Sequence, residues 1–523
     1  MSVSNYQKEL SFTESVGIPF IVNARGVLNS HYQDLCAFMY IAPTGKGKSF
    51  FVKNEFANFC RDCGHSILYL VPRKALKEEF EKEIVQSGQD DIITVMTYQH
   101  FESGSQFVPN DKYDIIICDE CHYFVSDSLF NCNTEKSYKW VMNNNHDKLK
   151  IFLTATPQPI QQIIIEDMKK RNGHLMITEL EGVSPINKVE FFSVLYEDIK
   201  RRNVEKILRL SDNFEIQGGS NLLDEVPEDE KTIVFCDSVR YAHDLYKKYE
   251  SQSVFICSKD SPKNKKYLKD VADDATFSKM LTEHKFDCKY LFCTSALDVG
   301  ISFRDRQIKR IICLLHDWNS ITQAIGRKRM IDKDDTVTLH LPYYNNQGIG
   351  GLMVQLENKF EHYYYLKEYG AEAYLQKYQK CYDPAKIVYY RDMGGGLSIP
   401  DVDKFVLANY QHQKHCLLAI NAINSPNKYQ DWVTQQLGLP SIKERLVSVL
   451  QAYAESERCF SKNDKNELVE AIGLHDTHNS SRLVKNISKI NEYLESMKMD
   501  YRITSKRDNN KSRTTIYQVT KIV

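Results

Sequence analysis

The segment Ala42-Pro-Thr-Gly-Lys-Gly-Lys48-Ser49 constrains this chain more than any other. An apolar run, Phe38 to Ile41, precedes it and reads as a buried strand, and a helix-compatible stretch, Phe50 to Cys60, follows. Strand, glycine loop and helix N-terminus in that order are the context of a phosphate-binding loop. Gly45 and Gly47 let backbone N–H groups turn inward onto phosphate oxygens, because glycine reaches backbone angles that other residues avoid. The helix N-terminus adds a dipole favourable to an anion. Lys48 has the reach and charge for β- and γ-phosphates, and the Ser49 hydroxyl suits Mg²⁺. With Thr44 and Lys46, residues 44–49 are the candidate nucleotide contacts. The plainer alternative is a chance glycine turn, and the ordered flanks argue against it.

Short apolar runs then alternate with helical stretches. Ser66–Val71 ends in Pro72-Arg73-Lys74, Ile92–Met96 in Thr97-Tyr98-Gln99, Tyr113–Cys118 in Asp119-Glu120-Cys121-His122, and Lys150–Leu153 in Thr154-Ala155-Thr156. That alternation predicts a parallel α/β sheet. Ligands of such sheets gather at the carboxyl ends of the strands, and each of these polar clusters falls at such an end. Asp119 suits a Mg²⁺ ligand, and Glu120 suits a group that orients or deprotonates an attacking water. An acidic helix cap is the alternative; a phosphate loop upstream favours catalysis. The stretch from Gln158 to about Glu181 reads as helical.

The pattern resets near Gly182–Pro185, and a second α/β set follows. Lys231–Cys236 leads into Asp237-Ser238-Val-Arg240, Lys289–Cys293 into Thr294–Ser302, and Lys309–Leu315 precedes Gln323-Ala-Ile-Gly326-Arg327-Lys-Arg329. This set has no phosphate loop. Two such domains suit a nucleotide held in the cleft between them, with Arg327 or Arg329 stabilising charge on the transferring phosphoryl group. A solvated basic turn is the other reading of these arginines.

The chain has 523 residues, room for about three or four domains. Its formal net charge of −1 means that a nucleic-acid surface must be local. No apolar run reaches the ~18 residues of a membrane span, and the N-terminus shows no signal-peptide pattern. The 14 cysteines are scattered, several within apolar strands, and read as free thiols in a reducing cytoplasm. Cys60 and Cys63 have zinc-like spacing, but no second pair stands at partner spacing.

Taken together, these motifs resemble those of superfamily 2 helicases of the DExH type, here reading DECH, over roughly residues 20–343. Ala42–Ser49 resembles motif I, Pro72–Lys74 motif Ia, Thr97-Tyr98 motif Ib and Asp119–His122 motif II. Thr154–Thr156 resembles motif III, Phe235–Arg240 motif IV, Thr294–Ser302 motif V and Gln323–Arg329 motif VI. The resemblance implies two tandem RecA-like parallel-sheet domains and ATP hydrolysis coupled to movement along, or strand separation of, nucleic acid. It implies backbone contacts by Pro72, Arg73, Thr97, Ser238, Arg240 and Thr294, which carry affinity without sequence information. Gln323 and Arg327 would face the triphosphate, with Gly300 near the nucleotide. Motif VI of the family keeps an arginine where this chain has Met330, with Arg329 one position earlier. Ser302 stands where many relatives have Asp, and no clear adenine-reading glutamine motif is present, Gln33 being the nearest candidate.

Beyond Tyr343 the α/β pattern stops. Asn345–Gly351 reads as a loop, Phe360–Tyr382 as a tyrosine-rich helix used for packing rather than base stacking, and Gly394–Gly396 as a turn. Ser461–Ile472 and Ser480–Met497 read as helices. Tyr501–Arg507 and Arg513–Val519 read as paired strands about a turn at Asp508–Lys511. Helix, helix and β-hairpin resemble a winged helix, with basic Lys506, Arg507 and Arg513 on the hairpin.

The expected organisation is therefore a RecA-like ATP-binding domain over 1–183 and a RecA-like helicase C-terminal domain over 184–343. A mostly helical connector over 344–435 and a winged-helix-like α+β domain over 436–523 follow. The expected activity is an ATP- and Mg²⁺-dependent helicase or translocase on nucleic acid, DNA favoured over RNA, in the cytoplasm, or the host cytoplasm for a mobile element. The alternatives are an RNA helicase, a sequence-specific DNA-binding remodeller with a non-unwinding motor, and an inactive motor used as a scaffold. No nuclease constellation is recognisable.

Overall fold

The computed structural model describes residues 12–29, 36–43, 45–103, 113–143, 148–180, 184–196, 204–210, 221–259, 262–294, 301–379, 381–394, 397–425, 427–440, 442–461, 464–472, 475–476, 479–507 and 515–522. Strands β1 (Cys36–Ile41), β2 (Ile67–Val71), β3 (Ile93–Thr97), β4 (Ile115–Cys118), β5 (Leu149–Thr154) and β6 (His174–Glu179) form the first sheet. Its order is β3-β2-β4-β5-β1-β6, and every pairing is parallel. Strands β2, β4 and β5 are buried along their whole length, as continuous apolar runs require. Tyr69, Ile117 and Leu153 face one apolar layer, and Leu68, Ile116 and Phe152 face the other.

Strands β7 (Ile186–Tyr196), β8 (Val204–Arg209), β9 (Lys231–Cys236), β10 (Ser253–Ile256), β11 (Tyr290–Thr294), β12 (Ile308–Leu314) and β13 (Val337–Pro342) form the second sheet. The order is β10-β11-β9-β12-β13-β7-β8, parallel except for the β7–β8 pair. The two tandem parallel α/β sheets expected from the alternating runs are both present.

Several local expectations are corrected. The first forty residues carry little visible pattern, yet Thr13–Asn29 is helical and buries Val16, Phe20, Ala24 and Leu28 at four-residue spacing. Phe20 stacks on Tyr40 with ring centroids 4.4 Å apart. Within Gln158–Glu181, expected to be helical, only Ile160–Lys170 is; His174–Glu179 pairs with β1 as the sheet edge. Asn345–Gly351 is not a loop. The Asn345 side chain accepts the Gly348 N–H at 2.7 Å and starts a helix, Asn346–Asn358.

The tyrosine-rich helix Glu361–Tyr378 breaks at Gly370, where φ is 80° and ψ is 176°. Its arms fold together, His362 stacking on Tyr378 at 4.0 Å. Tyr374 is fully buried, whereas Tyr369 and Tyr382 are exposed. The expected mostly helical connector also holds an antiparallel hairpin, Val388–Asp392 with Ser398–Val402. Ser480–Met497 is not one helix: Asn479–Leu483 is a strand, and Ile487–Ser496 is a helix capped by the Asn486 side chain.

Helix Lys404–Ala422 joins the layers. Phe405 packs in the first domain against Tyr138, and Lys404 pairs with Asp167 at 2.7 Å. The following helix, Lys428–Gln436, puts Tyr429, Trp432 and Val433 into the core of the second domain. The C-terminal unit has helices Ile442–Glu455, Lys465–Ile472 and Ile487–Ser496. They pack on a three-stranded antiparallel sheet in which Thr515–Lys521 lies between Cys459–Phe460 and Tyr501–Arg507. Leu450, Phe460, Leu468, Ile490, Leu494, Ile503 and Val519 share its core.

One ion pair in the second domain has both side chains fully buried: Lys328 Nζ lies 2.5 Å from Asp335 Oδ2. The same oxygen accepts the Ile331 N–H at 3.0 Å. Removing one member leaves an uncompensated buried charge. Asp335→Ala is expected to lower unfolding stability by about 3–5 kcal/mol, measured by urea denaturation; an unchanged midpoint would contradict this role for the pair.

Candidate active site

The loop after β1 turns on two glycines with left-handed backbones, Gly45 at φ 89° and Gly47 at φ 87°. Gly47 caps the helix that begins at Lys48. The Lys48 side chain folds back into the loop, its Nζ donating to the carbonyls of Ala42 at 2.7 Å and Pro43 at 3.4 Å. Burial lowers the Lys48 pKa, and the carboxylates of Glu120 and Asp119 work against that shift. The loop is tied to the neighbouring strand end, as the Ala42 N–H donates to the Thr154 carbonyl at 2.9 Å.

Strand β4 delivers Asp119 beside this loop. Asp119 Oδ1 accepts the Glu120 N–H at 3.0 Å, and Oδ2 accepts the Tyr69 hydroxyl at 2.7 Å. That hydroxyl also lies 3.4 Å from Ser49 Oγ. The Asp119 carbonyl accepts the Tyr98 hydroxyl at 2.7 Å. Burial, reinforced by Glu120, pushes the Asp119 carboxyl up to about 6. Glu120 sits at φ 48°, rare for a residue with a side chain. Its Oε2 is buried without a hydrogen bond and lies 3.4 Å from His122 Nδ1. Burial opposes its charge, but His122, Lys48, Arg327 and Arg329 outweigh that and hold Glu120 below the ordinary carboxylate range. His122 Nδ1 lies 3.1 Å from Thr154 Oγ1, which accepts the Thr156 N–H at 3.0 Å. Residues from four strand ends thus meet at one place.

The second domain supplies cations to the same place. Helix Trp318–Gly326 carries Gln323 and ends at Arg327. Beyond it the chain pairs with Phe303: the Phe303 N–H donates to the Arg327 carbonyl at 2.7 Å, and the Arg329 N–H donates to the Phe303 carbonyl at 2.9 Å. Lys328 is drawn to the buried Asp335, and its neighbours Arg327 and Arg329 contribute positive potential at Glu120. A Cβ built on Gly45 would stand 3.1 Å from Arg329 Nη1, so the guanidinium rests on the loop. Arg329 Nη1 is buried without a hydrogen bond, and burial, then Arg327, lowers its pKa to about 10. Asn319 Nδ2 donates to the Gln158 carbonyl at 2.9 Å, a second link between the domains. Met330 therefore does not leave the turn without an arginine at the loop, because Arg329 reaches it.

Thr44, Gly300, Arg513 and Gln33 lie outside the described residues. The remaining candidates lie at strand ends. Pro72 follows β2, and its carbonyl accepts Gln99 Nε2 at 2.8 Å. Arg73 pairs with Asp127 at 2.5 Å, its guanidinium 5.7 Å from the Tyr123 ring centre. Thr97 closes β3 and Thr294 closes β11. Ser238 precedes helix Val239–Lys248 without a side-chain capping bond, and Arg240 lies 3.6 Å from Asp244. Lys506 and Arg507 are exposed on the C-terminal sheet. Cys60 is buried and Cys63 exposed, and among the described residues no group of three or more His, Cys, Asp or Glu is arranged to hold a metal.

Tyr69 lies outside every motif, and Tyr98 enters only as the second residue of motif Ib, with no role of its own. Their signal was chemical: a tyrosine inside or just beyond an apolar strand needs a partner for its hydroxyl.

Residues 81–159 match the family model described as type III restriction enzyme, res subunit. That span includes Asp119, Glu120 and Thr154–Thr156. No curated protein matches the chain. Among solved structures, the DEAD-box helicase Mss116 bound to ssRNA and UDP-BeF aligns at 12% identity and TM-score 0.41, covering 67% of this chain and 76% of that one. Dbp5 of S. cerevisiae, bound to RNA and ADP BeF3, aligns at 12% identity and TM-score 0.40, covering 61% and 82%. The helicase Lhr of Mycobacterium smegmatis, bound to ssDNA and AMP-PNP, aligns at 14% identity and TM-score 0.38, covering 65% and 47%.

A side chain at position 45 would meet both a left-handed backbone and the Arg329 guanidinium. Gly45→Ala is expected to cost about 1–2 kcal/mol of stability, read by urea denaturation; no loss would contradict the left-handed turn.

Proposed function

We propose that this chain is a nucleic-acid-stimulated ATPase of the superfamily 2 helicase type, moving along or separating nucleic-acid strands. The observation that carries this reading is the placement of Arg329, from the second domain, on Gly45 of the first domain's loop, beside Lys48 and Glu120. A transferring phosphoryl group needs cations around it and a carboxylate for the attacking water. Here the two kinds of group come from different domains.

The residues present suit a Mg²⁺–ATP substrate. Positive-φ glycines open the loop to phosphate oxygens, Ser49 and Asp119 face each other across the Tyr69 hydroxyl, and Glu120 Oε2 and Arg329 Nη1 are buried polar atoms in want of partners. When bound, the ion neutralises charge on the phosphate oxygens. Lys48 exchanges its loop carbonyls for β- and γ-phosphate oxygens. Glu120 takes the proton of a water that attacks the γ-phosphorus, the bond to the bridging oxygen breaks, and ADP and phosphate leave. Arg329 is the finger that stabilises charge during transfer, with Arg327 and Gln323 alongside.

In this reading Pro72, Arg73, Thr97, Ser238, Arg240 and Thr294 hold the sugar-phosphate backbone. The C-terminal unit acts as a winged helix whose Lys506 and Arg507 track phosphate, which favours DNA. Buried cysteines outside any disulfide, such as Cys118, Cys236, Cys293 and Cys313, suit a reducing cytoplasm. Among the described residues no helix is long and apolar enough to cross a membrane.

The test is ATP hydrolysis by the wild type and Lys48→Ala, each alone and with single-stranded DNA, single-stranded RNA and duplex DNA. The expected outcome is a rise of at least about tenfold with single-stranded DNA, lost in the variant. Stimulation by RNA alone selects an RNA helicase. Hydrolysis indifferent to every polymer, or surviving Lys48→Ala, overturns the proposal.

A further inference from the structure

We propose that Tyr69 is a positioning residue of the divalent-ion site, orienting the Asp119 carboxylate for the cation. This rests on the reading of Ser49 and Asp119 as ion ligands. Tyr69 is fully buried, and its ring stacks on Phe80 with centroids 4.3 Å apart and planes 17° off parallel. The hydroxyl oxygen is therefore held in place by packing.

That hydroxyl donates to Asp119 Oδ2 at 2.7 Å while the Glu120 N–H donates to Oδ1 at 3.0 Å. Two donors on two oxygens fix the plane of the carboxylate, and each oxygen keeps lone-pair capacity for a cation. The same hydroxyl lies 3.4 Å from Ser49 Oγ, so one atom is within reach of both proposed ligands. Its neutrality matters. Lys48 Nζ is directed to the carbonyls of Ala42 and Pro43, not to Asp119. A neutral donor orients the carboxylate and leaves its negative charge for the metal. A lysine in the same place would cancel that charge.

Partners that orient a ligating group change metal affinity by about 10–100-fold when removed. The full-length protein is titrated with Mg²⁺ while the fluorescence of bound N-methylanthraniloyl-ADP is followed, for wild type, Tyr69→Phe and Phe80→Leu. Tyr69→Phe keeps the ring and loses only the hydroxyl. It is expected to raise the Mg²⁺ concentration for half-saturation about 10–100-fold, with labelled-ADP affinity in EDTA unchanged. Mn²⁺ binding in the presence of ADP, read by electron paramagnetic resonance, should weaken in parallel. Phe80→Leu keeps the hydroxyl but frees the ring, and should shift the Mg²⁺ titration in the same direction by less. An unchanged Mg²⁺ titration in Tyr69→Phe, or an equal loss of affinity in EDTA, overturns the inference and leaves Tyr69 a packing residue. Wild type that binds labelled ADP no better than Lys48→Ala overturns instead the nucleotide reading, and this inference falls with it.

Discussion

The buried pairing of Lys328 with Asp335 is the constraint on which the cleft depends. Both side chains are wholly removed from solvent. Their attraction is bought at a desolvation cost that only good geometry offsets. The pair locks the middle residue of the turn Arg327–Arg329 into the second domain, while the backbone on either side pairs with Phe303. With the middle residue anchored and the flanking backbone paired, the turn carries Arg329 to Gly45. A looser turn would place two long cations in solvent, where rotamer freedom and screening reduce their effect.

On the other side of the cleft, Asp119 is held at its carbonyl by Tyr98, at one carboxylate oxygen by its neighbour's N–H and at the other by Tyr69. Tyr98 follows Thr97 directly and stacks on Tyr123, whose hydroxyl bonds Gln99 and the buried Glu102. Arg73 pairs with Asp127 just beyond the same short helix, Tyr123–Ser126. The strand ends proposed for backbone contact and the one proposed for hydrolysis are therefore joined by hydrogen bonds and ring stacking. In the proposed motor, that continuity is a physical link between polymer contact and the acidic pair.

Strand ends were legible because chemistry and period coincide there. Continuous apolar runs marked β2, β4 and β5, and the polar residues closing them marked the cleft. What stayed hidden had specific causes. His174–Glu179 alternates weakly and is largely exposed, since it is an edge strand, so its pattern resembled a helix. The glycines at 348, 350 and 351 suggested a loop, but the Asn345 cap supplied a helix start that outweighed their poor propensity. The N-terminal helix was hidden by Gly17, Pro19 and Gly26, which read as breakers although Val16, Phe20, Ala24 and Leu28 share one face. Arg329 was one of two candidate fingers in sequence. In the fold both act on Glu120, and Arg329 also rests on Gly45.

In the proposed function Arg329 completes a hydrolytic site built by the other domain. Steady-state ATP hydrolysis by Arg329→Ala at saturating nucleic acid, with kcat and KM resolved, separates a finger from a surface arginine. A finger acting on the transferring group should cost about 10³-fold or more in kcat, with KM for ATP changed only a few-fold. A kcat within twofold of wild type, or a loss carried by KM alone, would contradict a catalytic cleft between the domains.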